Sequence, residues 1–71
     1  MLFDYSKLLG RIKEYGYTQE RLAEEIGMAK ATICLKLNNK GCFTQPEMVK
    51  IQKILCIEVE EIGTYFFTLK V

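Results

Sequence analysis

Apolar residues recur along most of this chain at the three- and four-residue spacing of a helix. The first such stripe is Tyr5, Leu8, Leu9, Ile12 and Tyr15, with Asp4 or Ser6 placed to cap its start. Gly10 falls inside it, at a cost of about 1 kcal/mol against alanine. Gly16 ends that helix, and Thr18 caps a second one carrying Leu22, Ala23 and Ile26 on one face. Thr18 lacks the reciprocal half of a capping box, because Arg21 stands where Glu or Gln would reach back. Gly27 closes the second helix, since glycine takes the left-handed conformation at little cost. A third helix, from about Ala29 to Asn38, sets Ile33 and Leu37 one turn apart. Ala29 offers no side-chain acceptor at its start, a deficit of order 1 kcal/mol against serine.

Asn38-Asn39-Lys40-Gly41 then reads as a turn. Thr44-Gln45-Pro46-Glu47 is a full capping box with proline in the first turn, and Phe43 and Met48 are spaced as a hydrophobic staple. The fourth helix is expected to bury Met48, Ile51, Ile54 and Leu55. A short fifth, near Glu58–Gly63, is expected to bury Val59 and Ile62. Residues 64–71 are aromatic and β-favouring. Two readings of this tail stay open: it folds back over the core, or Tyr65, Phe66, Phe67 and Leu69 form a dimer contact. The expected architecture is all-α, five helices in one domain over residues 1–71, with an extended tail as an option.

A helix, a glycine turn and a second helix over residues 18–38 is the layout of a helix-turn-helix. The quoted residues Thr18-Gln19-Glu20, Leu22-Ala23, Ile26-Gly27, Thr32-Ile33 and Asn38-Asn39-Lys40 resemble the Cro/CI-type, lambda-repressor-like family of phage regulators. A weaker second match follows in Lys50-Ile51, Lys53-Ile54-Leu55, Ile57 and Glu60-Glu61-Ile62, so that the resemblance spans residues 4–63. Ala29 departs from it where a Ser or Thr cap is usual, and Cys56 where glycine is frequent. The resemblance implies a five-helix DNA-binding fold and, given the short chain without room for a further domain, a stand-alone Cro-like phage or prophage repressor. It implies a homodimer, formed in solution or only on DNA, reading a palindromic operator. The half-site centres would lie about 34 Å apart or a multiple of that.

With Ile33 and Leu37 inward, a step of about 100° per residue puts Ala31, Leu35 and Asn38 on the opposite face. Lys30, Thr32, Cys34 and Lys36 flank them. Lys30 suits guanine O6 and N7 or a phosphate, and Ala31 and Leu35 suit thymine methyls; the alternative for Leu35 is the edge of the core. Thr18 and Gln19 are both expected to contact DNA: the resemblance implies that Gln19 bridges a phosphate and the reading helix, beside Thr18 and the free N–H groups that follow it. Asn38, Asn39 and Lys40 are expected to grip phosphate, as is Thr44 unless its cap competes. Lys36 is expected to weigh most on affinity. Cys34 stands where serine is common in the family, a small residue first and an oxidisable block to DNA second.

Net charge is only +1, but its distribution changes the picture. Residues 30–53 hold five lysines against one glutamate, a balance of +4; the remainder holds five basic and eight acidic residues, a balance of −3. The positive field therefore gathers around the motif. Cys34, Cys42 and Cys56 cannot all pair within one chain, and three thiols without any histidine do not make a four-ligand zinc site. Reduced thiols, no signal peptide and no apolar run near 18 residues lead to an expected cytoplasmic location. No metal, cofactor or small-molecule ligand is expected. An enzyme is not expected, without histidine, a paired-carboxylate pocket or a phosphate-binding glycine loop. The alternative function is a protein-interaction or antitoxin-like accessory module that uses the same fold and presents its aromatic tail to a partner.

Overall fold

The computed structural model describes residues 2–70; Met1 and Val71, the ends of the expected domain and tail, lie outside it. The order is α1 (Ser6–Glu14), α2 (Gln19–Ile26), α3 (Lys30–Leu37), α4 (Gln45–Ile54), a 3-10 turn (Val59–Glu61) and α5 (Ile62–Phe66). The fold is all-α, as the periodicity predicts. Only an isolated antiparallel bridge between Phe3 and Leu69 breaks the helical pattern among the described residues. Leu8, Leu22, Ile33, Ile51 and Leu55, one or more from each of the first four helices, are completely buried and meet in one core. Ala23 is buried where α2 packs on its neighbours, as its small size requires.

The four long helices end by the same device. Residues Gly16, Gly27, Asn39 and Cys56 have φ of 75°, 75°, 63° and 51°. The next residue in each case returns its N–H to a carbonyl five positions back: Tyr17 to Ile12, Met28 to Ala23, Lys40 to Leu35 and Ile57 to Gln52. This is the Schellman closure, which satisfies carbonyls that a helix leaves without partners. Cys56 thus does the job of the absent glycine and carries the steric cost. Arg11 steadies this corner from α1, donating from Nε to the Leu55 carbonyl at 2.9 Å and from Nη2 to that of Cys56 at 2.8 Å. Its guanidinium also lies 4.6 Å from the centre of the Tyr15 ring. Cys56→Gly keeps these backbone acceptors and relieves a left-handed strain of about 1–2 kcal/mol. Against the entropy of an added glycine, about 0.5–1 kcal/mol, a net gain of some 0.5–1 kcal/mol is expected. A lower midpoint in denaturant for the glycine variant contradicts that account of the corner.

The starts of α2 and α4 follow the sequence; that of α1 does not, since its N-cap is Tyr5, which makes no side-chain cap, while Asp4 acts from one position earlier and Ser6 is the first helical residue. Asp4 accepts the Ser6 N–H at 2.9 Å, and the Ser6 hydroxyl, then that N–H, hold the Asp4 carboxyl below its ordinary range. Thr18 accepts from the Arg21 N–H, Ala29 caps nothing, and Thr44 and Glu47 complete the capping box. Phe43 and Met48 both pack against the core. Gly10 is exposed, and beyond the adjoining backbone of α1 no described atom lies within 4 Å of where its Cβ would stand, so no close approach of another element explains it.

Four expectations need correction. Leu9 belongs to the first stripe but is 38% exposed, because it follows the buried Leu8 by one residue, a step of about 100° that turns it away from the core. Tyr15 ends the first stripe but is 40% exposed, because it lies past the last turn of α1 and stacks on Arg11 instead. Val59 is 68% exposed, since a tight 3-10 turn aims it outward and leaves only Ile62 partly buried against the core. The tail is not a strand from Thr64 onward: α5 runs through Phe66 before the chain extends. Phe66 is 2% exposed and belongs to the core, with its ring 5.5 Å from that of Phe43 at 76°. It is therefore unavailable as a dimer contact. Tyr65 is half-buried, whereas Phe67 and Leu69 remain about half exposed.

Candidate functional site

The α2–turn–α3 unit stands on one side of the core, with Leu22, Ala23, Ile26, Ile33 and Leu37 directed inward. The residues expected on its outer face divide into those left open and those already engaged. Lys30, Ala31, Leu35, Asn38 and Lys40 are exposed, and Thr32 and Cys34 are half-buried beside them. Leu35 is 52% exposed, so it does not tuck into the core edge. Lys30 pairs with Glu20 of α2 at 3.3 Å, but both side chains are largely exposed. A pair of that kind contributes about 0–1 kcal/mol and yields readily to a phosphate.

Gln19 reaches α3 as the resemblance implies. Its Oε1 accepts from Cys34 Sγ at 3.2 Å, joining the first turn of α2 to the middle of α3. The Gln19 amide nitrogen donates to no other described residue. Thr18 spends its hydroxyl on the α2 cap. Asn38 donates to the Cys34 carbonyl at 2.7 Å while its side chain stays at the surface.

Three residues expected on phosphate are committed elsewhere. Lys36 Nζ lies 2.6 and 2.8 Å from the two carboxylate oxygens of Glu47, with only 15% of its side chain exposed. Its aliphatic stem passes Gly41, and its charge is neutralised inside the α3–α4 junction. Asn39 turns its amide inward, accepting the Phe3 N–H at 2.8 Å and donating to the Phe3 carbonyl at 2.9 Å. Thr44 caps α4. Each is satisfied by an internal partner: for Lys36 and Asn39 a distant one that no linear motif contains, for Thr44 the Glu47 of its own capping box.

Glu47 is the partner of Lys36 that sequence reasoning missed. It accepts the Thr44 N–H at 2.8 Å in addition to Lys36. Burial alone pushes its carboxyl upward; the Lys36 and Thr44 hydrogen bonds and the Lys36 charge outweigh burial and hold it below the ordinary range. The capping box was legible, but nothing in an eleven-residue separation across a turn marked the ion pair. Phe3 was missed as well, since a backbone that binds an asparagine leaves no signature.

A second surface lies at the tail. Phe3, Tyr5, Phe43, Met48, Phe66 and Phe67, with Cys42 at the rim, line a cavity of about 260 Å³. Its rings meet edge to face, Phe3 with Phe67 at 5.9 Å and Tyr5 with Phe43 at 5.7 Å. Among the described residues no cluster of potential metal ligands occurs, and no helix is long and apolar enough to cross a membrane.

Fold and surface together define a small all-α protein with an exposed helix pair and an aromatic tail. The chain belongs to the family described as protein of unknown function DUF739, whose model matches residues 1–69. It is also similar in structure to the modulator of repression of the temperate bacteriophage TP901-1 from Lactococcus lactis. The TM-score is 0.80 at 39% identity, over all of this chain and 96% of that one. A comparison with curated proteins finds no match.

Proposed function

We propose that this chain is a phage regulatory protein that acts on repression, and that α3 docks in the major groove of operator DNA. The observation that carries the DNA reading is the outer face of α3, where Lys30, Ala31, Leu35 and Asn38 stand exposed with no acidic residue among them. Ala31 and Leu35 would meet thymine methyls, and Lys30, released from Glu20, a guanine edge or a phosphate. Lys40 and Asn38 would hold the backbone beyond α3, and Gln19 would hold it at the start of α2. The similarity to a protein named a modulator of repression supports the regulatory role. Dimerisation on a palindrome remains part of this reading, with Phe67 and Leu69 as its contact.

An accessory role through a protein partner is the second reading. It is favoured by the withdrawal of Lys36, Asn39 and Thr44 into internal bonds, which lowers the number of phosphate contacts the face can make. Selection of bound fragments from a random DNA library, at about physiological ionic strength, separates the two. A symmetric enriched site supports the DNA reading. Lys30→Ala and Leu35→Ala should then relax sequence preference at single positions by about 1–3 kcal/mol. Lys40→Ala should lower the salt slope by about 0.9, while Lys36→Met leaves it unchanged. No enriched site, with weak affinity insensitive to salt, would sink the DNA reading and leave the accessory one.

A further inference from the structure

The segments 2–4 and 68–70 are fastened to each other and, through one side chain, to the end of α3. The Asp4 N–H donates to the Thr68 carbonyl at 2.7 Å, and the Lys70 N–H donates to the Leu2 carbonyl at 2.9 Å. Phe3 lies between these bonds and pairs with Leu69 on the tail side, while its own N–H and carbonyl point to the other edge. There the Asn39 amide takes both groups, donor to acceptor and acceptor to donor, as a neighbouring strand would. Asn39 is also the left-handed residue that closes α3, at φ 63°. One residue therefore serves as the stop of the exposed helix and as the third strand of the terminal strap.

We infer that this strap is a conformational coupling element: Asn39 is a positioning residue that links the state of the C-terminal tail to the set of the α3 C-terminus. The residue type fits the double task closely. Glycine takes the same φ but has no amide. Aspartate tolerates the φ but has lost the donor and would place a charge against the Phe3 carbonyl. Glutamine has the amide on a longer arm but lacks asparagine's tolerance for the left-handed region. The path is a continuous chain of backbone and side-chain hydrogen bonds, Lys70 to Leu2, along the backbone to Phe3, then to Asn39 and the cap of α3. A ligand that grips the tail around the exposed Phe67 and Leu69 thus also bears on α3, the helix proposed above to dock on DNA. Linkage requires the influence to run in both directions.

The test uses amide hydrogen exchange on the full-length protein, without DNA, so its outcome does not depend on the DNA reading. Asn39→Gly keeps the left-handed cap and deletes only the clamp, so the fold is retained. Exchange at Asp4 and Lys70, whose bonds lie across the strap from the substitution, is expected to accelerate at least tenfold. Exchange at Leu22, Ile33 and Ile51 should stay within about threefold of the parent. Lys70→Pro removes the reciprocal donor at the far end and is expected to accelerate exchange at Asn39 and Lys40. Unchanged exchange at the remote ends in either variant overturns the coupling. A uniform acceleration that includes the core amides overturns it too, since the strap is then not a separable element.

Discussion

Phe66→Ala is expected to destabilise the protein by about 3–5 kcal/mol, the cost of emptying a fully buried aromatic site. In a chain of this length that is a large share of the total, and the midpoint of thermal unfolding should drop by roughly 4–8 °C for each kcal/mol lost. The reason lies in the tail. Phe66 is 2% exposed and meets Phe43 edge to face, so it closes the core between α5 and the loop before α4. Its neighbour offers the control. Phe67 is half exposed, touches Phe3 at one edge, and should cost no more than about 1 kcal/mol on truncation. Thermal melts and sedimentation of both variants check this. Equal losses at the two positions, or a change confined to oligomeric state at Phe66, would be incompatible with the described packing.

Glu47→Ala should be the next most damaging substitution outside the core, at about 2–3 kcal/mol. It deletes one side of the capping box and leaves Lys36, most of it buried, without its counterion. Glu47→Gln keeps an acceptor for the Thr44 N–H and should lose roughly half as much. The pH dependence follows from the direction of the Glu47 shift. Its carboxyl in the folded protein lies below the value of an unfolded glutamate, because the Lys36 and Thr44 contacts outweigh burial. The stabilisation is therefore complete above the unfolded value, roughly 4.3, and is lost as pH falls through the lower folded value. Urea denaturation of the parent should show this acid limb, and Glu47→Gln should flatten it. A parent and a variant that lose stability in parallel would show that Glu47 contributes nothing to it.

Helices with a periodic apolar face were legible from the chain because local rules and burial agree there. Leu22, Ala23 and Ile26 in α2, and Ile33 and Leu37 in α3, are all buried. Caps at Thr18 and Thr44 were equally legible, since a cap acts within three residues of itself. The candidate face was only partly so. Periodicity placed Ala31 and Leu35 outward, and they are. Yet Lys36 and Asn39, on or just beyond the same helix, are bound by Glu47 and Phe3, at separations of 11 and 36 residues. Those contacts depend on where the first turn of α4 and the N-terminal segment come to lie beside the end of α3, which no local spacing encodes. The tail was ambiguous for a related reason. Phe66 and Phe67 are chemically alike and adjacent, and only the turn of α5 sends one inward and leaves the other at the surface.

The three thiols fall on three different parts of the surface. Cys34 sits half-covered behind Gln19 on the helix-pair face, Cys42 at the mouth of the aromatic cavity, and Cys56 at the corner that Arg11 braces. None is tied up in a disulfide. The native protein thus carries its own set of chemical labels, one per face, with no engineered cysteine needed. Alkylation read residue by residue, with and without a bound molecule, reports which face has been covered, whether that molecule is DNA or another protein.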